Sequence, residues 1–99
     1  MDKKKLIKVT SLFSDFRDSA ADAVKSHINL IEKLSNDAVS IAEKPLEQRT
    51  EQEKIIYDYY HENIIQLVKE SVKTIESYTE GTDKYISALE QIIEVINKD

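Results

Sequence analysis

The side chains able to do chemistry are few. The chain holds two histidines, His27 and His61, and no cysteine. Asp58-Tyr59-Tyr60-His61 sets a carboxylate and an imidazole at i, i+3, on one face of a helix. Di-iron bundles use Glu-x-x-His twice in that way, with further Glu ligands. Val24 stands three residues before His27, so the second copy is missing and no metal site is expected. Without cysteine there is neither a disulfide framework nor a thiolate zinc site. Nucleophiles are limited to serine and threonine, and the nine serines are scattered from Ser11 to Ser87 with no base beside them. There is no G-x-S-x-G turn, and a single glycine, Gly81, cannot build a phosphate-cradling loop. The residues therefore predict a non-catalytic protein without a cofactor.

The densest cluster is Ile55-Ile56-Tyr57-Asp58-Tyr59-Tyr60-His61. Tyr57, Tyr60 and His61 share a helical face. Tyr59 points elsewhere, with Ile55 and Ile56. Tyrosine suits sites where one end is buried and the other wet, including interface hot spots. The expectation is that Tyr60 seals the interior and that Tyr59 meets a partner.

Two long helices must carry these residues. Leu6, Val9, Phe13, Phe16, Ala20, Val24, Ile28, Ile31, Leu34, Ala38 and Ile41 recur with a mean spacing of 3.5 residues. A second row, from Tyr57 and Tyr60 through Ile64, Val68, Val72 and Ile75 to Leu89, Ile92 and Ile96, has the same period. That period is helical and excludes strand alternation. Pro45 ends the first helix and disfavours helical geometry at Lys44. Thr50-Glu51-Gln52-Glu53 is a capping box that starts the second. The chain is thus expected to be one all-α domain: a helix over about 4–43, a turn over 44–50 and a helix over about 51–97, forming a long antiparallel hairpin. Gly81 weakens the second helix, at about 1 kcal/mol relative to Ala. With Thr82 as a new N-cap it can also mark a break that gives a third helix. A continuous second helix is favoured.

Composition bounds the class. In 99 residues, glycine and proline occur once each, too few for the turns of a sandwich or barrel. Lys3, Lys4, Lys5 and Lys8 against Asp2 put +3 on the first eight residues, which leaves −8 on the rest of a chain whose total is −5. An acidic body argues against nucleic acid as the main ligand. It also argues against surface binding to membranes, whose helices are typically basic. No apolar run approaches the roughly 20 residues of a membrane span. The basic start lacks the apolar core of a signal peptide, so cytoplasmic folding is expected.

A hairpin centred near Glu47 sets Leu6 opposite residue 88 and leaves residues 89–97 uncovered. Ile7, Leu12, Leu30, Val39, Ile55, Ile56, Tyr59, Ile65, Leu67 and Ile86 also lie off the seam. Burying each such aliphatic side chain is worth about 1.5–3 kcal/mol. The surplus predicts completion of a four-helix bundle by self- or hetero-association, with Tyr59, Ile86, Leu89, Ile92, Ile93 and Ile96 as partner-binding residues. The expected function is a protein–protein interaction module: a small adaptor, chaperone-like partner or inhibitor. An acidic inhibitor or immunity-type protein blocking a basic site is the alternative from another class.

The size, the absence of cysteine and the hairpin layout resemble the WXG100 class of small dimeric helical hairpins associated with type VII secretion. The likeness is architectural. The turn reads Lys44-Pro45-Leu46 where that class has Trp-x-Gly, and Tyr78 and Tyr85 are followed four residues later by Thr82 and Leu89 instead of an acid. The resemblance implies a secretion partner or substrate, exported by a non-classical route, and it carries over no residue role.

Overall fold

Asp2 opens the first helix. Its carboxylate accepts from the Lys5 N–H at 2.7 Å, capping α1, Lys3–Ser19. Leu6, Val9, Phe13 and Phe16, three or four residues apart, form its buried row. A computed structural model describes residues 1–77 and 83–98. Beyond α1 come α2, Asp22–Ala42, a short 3-10 turn at Leu46–Gln48, then α3, Glu51–Glu76, and α4, Asp83–Asn97. No strand occurs among the described residues.

The expected helix over 4–43 is therefore two helices. Ala20 (φ −87°, ψ 149°) and Ala21 (φ −66°, ψ 152°) are both extended, and α2 folds back along α1. Thr10 meets Ser35 and Arg17 meets Glu32, so numbers fall in α2 as they rise in α1, and the two run antiparallel. Alanine is the best helix former and among the poorest N-caps, and Ala21 supplies no side-chain cap. The bend is thus a tertiary outcome: it lets α1 cover α2 and α4 at once. The continuous helix over 51–97 is likewise corrected, since α3 ends at Glu76 with Ser77 as its C-cap and α4 begins at Asp83. Gly81 and Thr82, read as the point of weakness, lie outside the described residues.

Each helix touches the next, and α4 touches α1, while the diagonal pairs do not meet among the described residues. The core is one apolar column in which Leu6, Phe13, Ile28, Ile64, Ile75 and Leu89 are completely enclosed. The uncovered stretch over 89–97 is also corrected. Lys5 Nζ donates to the Ile96 carbonyl at 2.9 Å and to that of Lys98, and Phe16 packs edge-on against Tyr85 at 6.0 Å. The bend at Ala20–Ala21 lays α1 along α4, so α1 covers the stretch that a straight hairpin would leave bare. The four-helix arrangement also departs from the two-helix layout that the WXG100 resemblance implies.

Candidate functional site

The best-built cluster lies where α3 begins. The capping box forms in full: Glu53 N–H donates to Thr50 Oγ1 at 3.1 Å, and Thr50 N–H to Glu53 Oε1 at 3.0 Å. Lys44 Nζ, 2.7 Å from Glu53 Oε2, ties the start of the preceding connection to it. Arg49 lies over the Tyr57 ring at 5.0 Å. The helix so started carries Tyr57, Tyr60 and His61 inward.

Tyr60 is fully buried, as expected, and its hydroxyl ends a chain of three. Tyr60 Oη lies 2.7 Å from Ser35 Oγ, which lies 2.6 Å from Thr10 Oγ1. Thr10 Oγ1 donates to the Leu6 carbonyl at 2.8 Å. The chain crosses α3, α2 and α1 through apolar surroundings, where unpaired hydroxyls would be costly. Burial pushes the Tyr60 phenol up to about 12, partly offset by the Ser35 hydrogen bond. It is therefore a neutral, structural phenol. The sequence reading missed this spine, because a serine or threonine on a helix is an ordinary surface residue until a neighbour is known.

His61 packs against Tyr57 with ring centroids 4.3 Å apart and planes tilted by 53°, and meets Tyr60 edge-on at 5.8 Å. Its Nε2 is buried and makes no hydrogen bond among the described residues. Burial, and then the positive N-terminal amino group, hold the imidazole below its ordinary value, while Asp58 pulls the other way. The ring meets aromatic faces and no hydroxyl nucleophile, so it has no base-and-nucleophile geometry. Among the described residues no group of three His, Asp or Glu side chains is placed to hold a metal ion. His27 sits apart, on the α2–α3 groove with Leu30, Leu67 and Glu70, and its carbonyl accepts from Ser71 Oγ at 3.3 Å.

A second polar contact joins α1 to α2. Glu32 is buried, with Oε1 2.7 Å from Arg17 Nη1, and its Oε2 has no hydrogen-bond partner among the described residues. Arg17 remains half-exposed.

The residues expected to bind a partner divide into three groups. Leu89 and Ile92 are enclosed, at 0% and 1% exposure, and cannot meet a partner while the chain stays folded. Their burial follows from α1 lying along α4, so aspartate at Ile92 would test the core and not a docking face. Ile86, Ile93 and Ile96 are half-buried on the flanks of the core. Tyr59 is 47% exposed. It lies one turn from Ile55, 67% exposed, on the side of α3 opposite Tyr60, Ile64 and Val68. Leu46, in the connection leading to α3, is 65% exposed. Ile55 had the same signal as Tyr59, a position off the seam, and was passed over for α4. A surface depression of about 540 Å³ is lined by α4 residues, from Ser87 to Glu94, and is open to solvent.

No family model, curated protein or solved structure matches the chain. Among the described residues no helix is long and apolar enough to cross a membrane. Among the described residues the fold is all-helical, with the Thr10–Ser35–Tyr60 hydroxyls and the Arg17–Glu32 pair joining its helices.

Proposed function

We propose that the chain is a non-catalytic protein–protein interaction module, a small adaptor or inhibitor that docks an apolar helical face on a partner by self- or hetero-association. The face is the outer side of α3, centred on Ile55 and Tyr59. The observation that carries this reading is that pair of large side chains one turn apart, both turned away from the core and both substantially exposed. Leu46 adds apolar area before the same helix. Asp58 and Glu62, exposed beside the pair, would give orientation and on-rate more than affinity. The arrangement of His61 and the buried hydroxyls, which puts no base beside a nucleophile, supports the non-catalytic part.

The test pairs Ile55→Asp with Tyr59→Asp. Neither residue belongs to the core, so helix content and melting temperature should hold. Proteins captured by the unaltered chain should be lost from the double variant and retained when salt is raised. An unchanged capture profile in the double variant would refute the outer-α3 reading. Loss of partners from the unaltered chain with salt would instead favour an acidic inhibitor acting on a basic site.

A further inference from the structure

The junction between α1 and α2 is the part of the fold with least local support. Ala20 and Ala21 are extended, yet neither glycine nor proline is present, and Ala21 caps nothing. Phe16, Ala20, Val24 and Ile28 continue the buried row through the bend at four-residue spacing. A straight helix from Lys3 to Ala42 would keep that row on one face. What holds the bend are contacts between helices: the Thr10–Ser35 hydroxyls, the Arg17–Glu32 pair, and Phe16 against Tyr85. None of them requires both partners to belong to one chain.

We propose that a second copy of this chain is a partner, through reciprocal exchange of α1. The Ala20–Ala21 bend straightens, and α1 leaves its own α2 and α4 to take the same place in the other copy. The polarity fits. A two-fold axis at the junction inverts the second copy, so the incoming α1 lies antiparallel to that copy's α2, as it does in the bent chain. Every α1 contact is remade between chains, and the junction gains helical hydrogen bonds that the extended alanines forgo. A short junction with poor local support is the usual site of such exchange. The connection between α2 and α3 cannot do the same, because Pro45 breaks the helix and the Thr50–Glu53 box starts a new one. The exchange is independent of the outer face of α3.

Ala21→Pro tests it. Proline matches the φ of −66° at Ala21, the ψ of 149° at Ala20 suits the residue before proline, and the Ala21 N–H makes no hydrogen bond among the described residues. The substitution keeps the bend and forbids the straight helix. Refolded at rising protein concentration, the unaltered chain should yield an increasing dimer fraction that persists on dilution, measured by light scattering. Ala21→Pro should stay monomeric with the same helix signal. An unaltered chain that is monomeric at every refolding concentration, or a dimer that Ala21→Pro retains, overturns the proposal. A second experiment stands if Ala21→Pro fails to fold. Chains carrying Thr10→Cys are refolded together with chains carrying Ser35→Cys, in a protein otherwise free of cysteine. The two hydroxyl oxygens lie 2.6 Å apart, within a disulfide's reach. Exchange predicts a disulfide between unlike chains, and its absence after co-refolding overturns the proposal. Ile55→Asp with Tyr59→Asp should exchange normally, so failure of the docking reading shows separately.

Discussion

The α1–α2 and α2–α3 junctions do the same geometric job by opposite means. At the second, proline, capping threonine, reciprocal glutamate and the Lys44–Glu53 bridge lie within ten residues. Each favours the turn before any other part of the chain is in place. At the first, two alanines that would continue a helix are held extended by what α1 touches elsewhere. A junction coded locally survives the loss of its surroundings. A junction coded by packing lasts only as long as the packing does, and that difference can be measured.

The largest effect should come from removing the packing. Phe13 is fully enclosed on α1, and Phe13→Ala should cost about 3–5 kcal/mol. Its second consequence distinguishes the junctions. Amide exchange should accelerate at Val24 and Lys25, whose N–H groups donate to the Ala21 carbonyl, well before it does at Glu53 and Lys54. Equal acceleration at both places would break the comparison.

The hydroxyl spine ties together the helices on either side of both junctions, with Thr10–Ser35 between α1 and α2 and Ser35–Tyr60 between α2 and α3. It offers a test by pH. Tyr60 is raised from its ordinary 10 to about 12 by burial, so the folded chain holds the phenol proton more tightly than the unfolded one. Stability from this source is complete below about pH 10 and is lost as pH rises through about 12, a change of about 3 kcal/mol. Tyr60→Phe should remove that alkaline slope, at a cost near neutrality of about 1 kcal/mol for the lost hydrogen bond. A slope that persists in Tyr60→Phe would place the titrating group elsewhere.

Next in size come two mirror substitutions. Thr50→Ala removes the cap of α3 and should cost about 1 kcal/mol, while Ala21→Ser supplies α2 with the cap it lacks and should gain a similar amount. Chemical denaturation of both variants would measure the asymmetry. It also explains what the sequence could say. The Pro45 turn and the Thr50 box were legible because their causes are adjacent residues. The buried rows were legible because periodicity is a local property. The bend at Ala20–Ala21 was not, since no residue there requires it and the unbroken spacing argued for one helix. From that omission followed the expectation that Leu89 and Ile92 face a partner. Leu89 and Ile92 looked surplus only while α1 and α2 were taken as straight and the chain as centred at Glu47. The exposure of Tyr59 was legible because lying off the row needs no knowledge of neighbours, and that of Ile55 was open to the same reasoning.

The smallest effect concerns acid at the well-capped junction. His61 lies below its ordinary value because burial and the N-terminal amino group disfavour its charged form. As pH falls through the usual histidine value of about 6.5, the unfolded chain takes up the proton first. Stability present above that pH is therefore lost as pH falls towards the folded value. Glu53 shifts downward for a different reason, its hydrogen bonds to Lys44 and Thr50, and its contribution is lost only as pH falls below its ordinary 4.5. The two losses begin at different points, His61's below about 6.5 and Glu53's below 4.5. His61→Phe keeps a ring against Tyr57 and removes the buried Nε2, which has no hydrogen-bond partner among the described residues, so it should flatten the loss that begins below about 6.5, and Glu53→Gln should flatten the one that begins below 4.5. Acid titration of stability in the two variants would show whether even a locally coded junction leans on a buried neighbour: a higher-pH loss unchanged in His61→Phe would mean that it does not.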